Sequence, residues 1–283
     1  MIITRLYGGM GNQMFQYAIG RALAIKNNTI LGLDVSMLLD RTPRENFTFR
    51  EYDLDIFAVE ATVLPQTEVK SQTRVMLEKV KNTILPKSGI EKSYHFDESA
   101  LDLKDGTYLQ GYWQSYKYFA SVADIIRKDF TLITPLLEHI QTLKEKIINE
   151  NSVCLHVRRG DYVGNANHDV VDSEYYTKAV ELMKSKITID HLYVFSNDVE
   201  WCHSNLSFGT PMTIVGEEYR GHKESGHFEL MRACRHSIIA NSSFSWWAAW
   251  LGDRSDKIVL APKRWFGGDR TTPDLIPDHW VRI

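Results

Sequence analysis

Apolar residues recur along this chain at two spacings, alternate positions and every third or fourth position, and the switches between them mark its elements. Ile2, Ile3 and Leu6 open a short apolar run that ends in a glycine-rich loop, after which Phe15, Ile19, Ala22 and Leu23 recur at helical spacing. This predicts a strand over 2–7, a tight loop over 8–12, a helix over 13–26 and a second strand over 30–34. A right-handed crossover then makes the sheet parallel. Between about 40 and 121 the pattern loosens: a helix is expected over 69–81, a break at Leu85-Pro86, and irregular walls in the Tyr-, Trp- and Gln-rich stretch 108–118. After a helix over 135–149 the second half becomes regular. Strands over 153–157, 191–196, 212–215, 237–240 and 258–261 alternate with helices over 174–184, 228–235 and 245–251 and a further helical stretch before 212. That series is an α/β, Rossmann-like domain. The polar Glu150-Asn151-Ser152 between the two halves places a boundary there, giving domains 1–150 and 151–283.

Length supports two medium α/β domains in 283 residues. A net charge of −3 and a pI near 6.4 provide no global attraction to nucleic acid or to an anionic membrane surface, so any basic site must be local. No nucleic-acid motif appears, and no apolar run reaches membrane-spanning length. Met1 to Leu6 read directly as strand, without a charged n-region or long apolar h-region, so the protein is expected in the cytoplasm. The sequons at Asn27, Asn46, Asn205 and Asn241 are then chance matches. Cys154, Cys202 and Cys234 are few, far apart and in apolar surroundings, which reads as buried thiols.

Candidate chemistry sits where predicted strands end. His156-Val157-Arg158-Arg159-Gly160-Asp161 closes the strand at 153–157; alternation puts His156 and Arg158 on one face and delivers both to its carboxyl end. An arginine there presents a planar fork of donors suited to a phosphate; the plain alternative is that Arg158 and Asp161 only pair with each other. Gly8-Gly9-Met10-Gly11-Asn12-Gln13 brings amides to a helix start, an anion or sugar site, or merely a tight turn. Gly9, Gly11 and Asp34 also suggest a dinucleotide fingerprint and an NAD-dependent oxidoreductase, but Met14 replaces the third glycine. Asp53-Leu54-Asp55 could hold a metal, yet its alternation with Tyr52 and Ile56 is that of a half-buried strand, and no metal site is expected. Ser196-Asn197-Asp198 could hold a base or ribose, or cap a helix. Asn241-Ser242-Ser243, with Ser245, offers more polar residues than a helix cap needs, and the surplus points to phosphate. Trp246, Trp247 and Trp250 after it read as core.

Together, the blocks 8–18, 156–162, 194–198 and 238–247 resemble, in order and across almost the whole chain, the family 11 glycosyltransferases, which are α-1,2-fucosyltransferases. The resemblance implies a GT-B-type fold of two Rossmann-like domains facing a cleft, with the acceptor on the first and the donor on the second. It implies inverting transfer of L-fucose from GDP-β-L-fucose, a co-substrate, to the 2-hydroxyl of a galactoside, without metal or other cofactor. Arg158 would bind the β-phosphate, with His156 and Asp161 beside it. Asn197, Asp198, Asn241, Ser242, Ser243 and Ser245, together with the loop residues Gly9, Gly11, Asn12 and Gln13, would line the donor. Tyr112 and Trp113 are candidates to pack against the acceptor sugar, or to be core. Asp161 and Glu229 are the candidates for the base that deprotonates the acceptor. By analogy the product is a surface glycan, with peripheral attachment at the inner membrane face left open, as is the oligomeric state. A non-catalytic nucleotide- or sugar-binding protein is the third reading.

Overall fold

The computed structural model describes residues 1–43, 48–65, 88–160 and 162–283. The chain forms two compact units, Met1–Ile133 with Pro273–Leu275, and Thr134–Thr272 with Ile276–Ile283. The division falls before, not after, the helix expected at 135–149. That helix, Glu138–Ile148, buries Ile140 and Ile147, and its Lys144 pairs with Glu229 of the second unit at 2.6 Å. The chain also returns: Asp274 pairs with Lys117 of the first unit at 2.5 Å.

In the first unit, Ile2–Arg5 (β1), Leu31–Asp34 (β2), Thr62–Val63 (β3), Ser88–Ile90 (β4) and Tyr108–Gln110 (β5) form a parallel sheet in the order β3-β2-β1-β5-β4. Met10–Lys26 (α1) joins β1 to β2, the short Ser36–Leu39 (α2) follows β2, and Ala123–Asp129 (α3) comes late. Of α1 only Lys26 is exposed, so its polar groups need internal partners. Tyr17 donates to the Asp129 carboxylate at 2.6 Å, Arg21 donates to the same carboxylate at 3.0 Å, and Gln16 accepts the Tyr7 amide at 3.0 Å. Gly20 is where α1 touches the sheet: a Cβ there would lie 2.3 Å from Thr4 Oγ1 and 2.7 Å from Leu31 Cδ1. Close helix–strand packing is thus served by Gly20, not by a glycine at position 14.

Two expectations are corrected in this unit. Residues 108–110 are not irregular but form β5, beside β1; with only Leu109 fully buried, three residues are too few to display alternation. Residues 52–56 are not a strand: Leu54–Ile56 is a 3-10 turn that buries Leu54 and Ile56 and exposes Asp55. The helix expected over 69–81 and the break at Leu85-Pro86 lie outside the described residues.

In the second unit Ser152–Val157 (β6), His191–Ser196 (β7), Met212–Ile214 (β8), His236–Ile238 (β9), Val259–Ala261 (β10) and Val281–Arg282 (β11) form a parallel sheet in the order β11-β10-β9-β6-β7-β8. This is Rossmann order, with the direction of build reversing between β6 and β9. The helices are Glu138–Ile148 (α4), Ser173–Lys186 (α5), Val199–Asn205 (α6), Ser225–Ala233 (α7) and Ser243–Leu251 (α8). β6 is buried at all its positions, as a central parallel strand must be. Val153, Leu155 and Val157 pack with Tyr176, Ala179, Val180 and Met183 of α5. Trp246, Trp247 and Trp250 are core, with Trp246 stacked on Trp250 at 6.1 Å. All three cysteines are free and buried. Among the described residues no helix is long and apolar enough to cross a membrane.

Gly20→Ala sets two effects against each other. Helix propensity favours alanine by about 1 kcal/mol, whereas forcing a methyl into a packed interface costs about 1–3 kcal/mol. Since the added Cβ would also lie 3.4 Å from Thr4 Cβ, on a strand held from both sides, packing should win. The urea midpoint should fall, with net destabilisation of about 1–2 kcal/mol; an unchanged midpoint contradicts this.

Candidate active site

Open α/β sheets bind ligands at the carboxyl ends of strands where the order reverses. In the second unit those are the ends of β6 and β9. β6 runs straight into half-buried Arg158, whose guanidinium lies over the Tyr162 ring at 5.3 Å. The Tyr162 hydroxyl in turn donates to the Asn241 carbonyl at 3.4 Å, beside the start of α8. Ser242 is the cap residue of α8, but its side chain makes no cap bond; the first helical bond runs from the Trp246 amide to the Ser242 carbonyl at 3.0 Å. The positive end of a nine-residue helix therefore opens at the switch point without a side-chain cap. A guanidinium and a helix N-terminus together make an anion site.

His156, near the end of β6, is only 6% exposed, with its ring 6.3 Å from that of Phe244 in the first turn of α8. Burial, reinforced by Arg158 and then His227, depresses its pKa to about 3. The imidazole is therefore neutral at ordinary pH and can offer a hydrogen bond but no charge. Its Nδ1 has no hydrogen-bond partner among the described residues. Asp161 lies outside the described residues.

Several residues expected at the donor turn out to build the site instead. The Asn197 carboxamide accepts the Arg159 amide at 3.0 Å and covers Gly160, where a Cβ would fall 2.1 Å from Asn197 Nδ2. Asp198 caps α6 through the Trp201 amide at 3.2 Å and accepts Arg159 Nε at 3.2 Å. Arg159 also lies over the Trp201 ring at 4.1 Å. Asn241, 2% exposed, donates to the carbonyls of His168 and Trp265, both at 3.0 Å. Ser245 is fully buried and donates to the Ser242 carbonyl at 3.1 Å. Of the serines, Ser242 and Ser243 stand at the mouth of the helix. Glu229 is not poised as a base: it is buried in ion pairs with Lys144 at 2.6 Å and Arg232 at 3.1 Å.

Sequence reasoning missed the contact of Tyr162 with Arg158, the stacking of Tyr162 on His168 at 4.7 Å, and the role of Arg159. Asp198 three residues before Trp201 was a signal for the Arg159 cluster; for His168 and Trp265, partners of Asn241 distant in sequence, there was none.

In the first unit the order reverses between β1 and β5. The loop after β1 meets the chain after β5: the rings of Tyr7 and Tyr112 stand edge to face at 4.9 Å, and Gln114 donates to Asn12 Oδ1 at 2.8 Å. Gly8 has φ +78°, which the turn requires, and Gly9 caps α1, where a Cβ would meet nothing. Gly11 is buried in the first turn. Gln13 is not available to a ligand: fully buried, it donates to the carbonyls of Gly8 and Glu51 and accepts the Asp53 amide. Trp113, 2% exposed, is core and not a sugar platform. Asp34 is 1% exposed and accepts from the Ser36 amide at 2.8 Å and from the Tyr108 hydroxyl, so no carboxylate is left there for a ribose. Among the described residues no group of three or more His, Cys, Asp or Glu gathers to hold a metal.

Two Rossmann-like units with parallel sheets place the chain in the α/β, GT-B-type class. More narrowly, it belongs to Glycosyl transferase family 11, whose signature matches residues 1–283, and it is therefore a glycosyltransferase. An alpha-1,2-colitosyltransferase of Escherichia coli is 32% identical over 294 residues, covering 100% of this chain and 99% of that one. Human galactoside alpha-(1,2)-fucosyltransferase 1 is 27% identical over 267 residues, covering 90% of this chain and 66% of the human protein. In fold, the chain is similar to a mutant of Arabidopsis thaliana FUT1 in complex with GDP, with a TM-score of 0.51 at 15% identity, over 96% of this chain and 72% of that one.

The state of His156 has a consequence for stability. Its folded pKa lies below the ordinary value of 6.5, so the unfolded chain binds the extra proton. The stability this neutral imidazole contributes is complete above pH 6.5 and is lost as the pH falls toward 3. Between pH 7.5 and pH 5 wild type should lose about 2 kcal/mol from this group, and His156→Gln should lose correspondingly less in urea titrations. Equal losses would show that the histidine is not buried neutral.

Proposed function

We propose that the protein is an inverting, metal-independent galactoside 2-α-L-fucosyltransferase, carrying L-fucose from GDP-β-L-fucose to the 2-hydroxyl of a terminal β-galactoside. The observation that carries this reading is Arg158 at the β6/β9 switch point beside the helix mouth at Ser242 and Ser243. Cleavage of a glycosyl phosphate builds negative charge on the departing GDP, and donors already fixed around the diphosphate stabilise that charge most. Arg158 supplies charge, the α8 amides with Ser242 and Ser243 supply hydrogen bonds, and His156 supplies a neutral donor. In this reading the second unit holds the donor with help from Gly9, Gly11 and Asn12 of the loop after β1, and Tyr112 of the first unit binds the acceptor. Asp161 serves as the acceptor's base. The enzyme works in the cytoplasm, peripheral to the inner membrane face, and modifies a surface glycan.

One other donor is favoured by a specific observation, the relative named as a colitosyltransferase. Colitose lacks the 3-hydroxyl of fucose, and a site that hydrogen-bonds a hydroxyl rejects the analogue without it by roughly 10⁴-fold. Release of GDP from GDP-fucose and from GDP-colitose, on adding a β-galactoside, therefore decides the donor; GDP-fucose should be preferred, and preference for GDP-colitose overturns the fucosyl assignment.

Arg158→Ala should retain the fold, as judged by its thermal transition. It should lower kcat by roughly 100- to 1,000-fold, the cost of removing one transition-state donor, about 3 kcal/mol. Near-normal turnover in the purified variant contradicts the role given to this side chain. Turnover should also survive EDTA; loss on chelation with recovery in manganese would mean that a cation, not the arginine and helix, neutralises the leaving group.

A further inference from the structure

The first unit contains a cavity of about 270 Å³ that the donor chemistry leaves unused, at the carboxyl ends of β4 and β5. Its walls include Glu91, Ser93, His95, Phe96, Trp113 and Tyr118. β4 and β5 leave the sheet side by side at Glu91 and Gly111, and the Glu91 carboxylate bridges the two exits. One oxygen accepts the Tyr112 amide at 2.7 Å and the other accepts the Trp113 amide at 2.9 Å. Gly111 is required beneath this bridge, since a Cβ there would lie 2.3 Å from Glu91 Cβ and 2.9 Å from Trp113 Nε1.

Trp113 has φ +55°, a left-handed conformation that is costly for a bulky residue and persists only where its surroundings over-determine it. Here two charge-assisted bonds to one carboxylate hold the turn. The indole is thereby turned against Tyr118, edge to face at 5.3 Å, while Phe96 packs on Tyr118 at 4.9 Å. Backbone strain is thus maintained at the wall of a cavity, on the sheet edge where this fold receives ligands. The volume lies just below the roughly 300–1,000 Å³ of pockets for drug-sized molecules, which suits a single ring. Trp113 and Tyr118 are buried behind the wall, and partly exposed Phe96 is the ring whose face can accommodate the C–H face of a sugar, while a carboxylate and an imidazole accept or donate to its hydroxyls. Glu91 is committed to two amides and Asp97 accepts from Ser99, while Lys92 and Glu98, both exposed, give the lining one charge of each sign that can hydrogen-bond hydroxyls. One strand away, Tyr7, Asn12, Tyr112 and Gln114 gather at the β1/β5 reversal.

We propose that this cavity is the subsite for one neutral hexose ring of the acceptor glycan, the ring next to the galactose that receives the transferred sugar. The assignment rests on the transferase reading above. Glu91 acts as a positioning residue that holds the Tyr112-Trp113 turn as the wall of the subsite.

The test compares methyl β-galactoside with methyl β-lactoside and with β1-3-linked disaccharides of galactose on N-acetylhexosamines. Wild type should use its best disaccharide at least about tenfold better, in kcat/KM, than the monosaccharide. Ser93→Trp, which fills the cavity from an exposed position, should erase most of that ratio, and His95→Ala should lower it as a second, less intrusive change. A wild-type ratio near one for every disaccharide, or a ratio unchanged in both folded variants, overturns the subsite. Saturation-transfer NMR on the GDP complex separates the two levels of the reading. Galactose protons that receive saturation while the neighbouring ring receives none sink the subsite alone. No saturation of either ring in any disaccharide, with GDP bound, sinks the acceptor reading together with it.

Discussion

The site depends on a single constraint: a fully buried parallel strand, β6, must end by presenting a permanent positive charge. The charge of Arg158 cannot be drawn into the sheet without a large desolvation cost, so it is held at the edge, over the face of Tyr162. The surrounding polar side chains keep that edge in place. Asn197 holds the first amide after Arg158 and closes over Gly160; Asp198 and Trp201 occupy the second arginine, leaving Arg158 and Arg159 with different tasks. Asn241 ties the start of α8 to two carbonyls from later and earlier loops. None of these residues need touch a ligand to matter for its binding.

Burial sets the chemistry of the neighbouring histidine in the same way. A second cation beside Arg158 would be repelled, and a charged imidazole could not be solvated at 6% exposure. The site therefore combines one charge with several neutral donors, an arrangement that concentrates the electrostatic contribution on the guanidinium and the helix end. The first unit uses a carboxylate for the opposite purpose. Burial raises the Glu91 pKa, and its two amide bonds act against that shift while bracing a left-handed tryptophan.

Much of the fold was legible because central strands and long helices carry strong patterns. β7 is observed at the expected residues, 191–196, and the other principal strands and helices of the second unit lie within a few residues of expectation. The misses have physical causes. β5 spans three residues with one inward position, and β11 two, too short for any period to register. Leu54–Ile56 mimics strand alternation because a single 3-10 turn can also bury alternate residues. Glu138–Ile148 falls in the second compact unit, and a helix near the boundary between two units bears no local mark of the unit on which it packs.

What the sequence by itself determined is the location of the chemistry: strand ends at Arg158, Asn197 and Asn241, a glycine loop at Gly8, and the resemblance that these blocks share as a set. Those features are local, written in residue type and spacing along a few positions. What only the tertiary structure decided is which polar atoms remain for a ligand. Gln13, Asp34, Asp198, Asn241 and Ser245 each look available in one dimension. Each is committed to partners that, for Gln13, Asp34, Asp198 and Asn241, lie tens of residues away. Hydrogen bonds saturate, and no pattern along the chain records which of them have already been made.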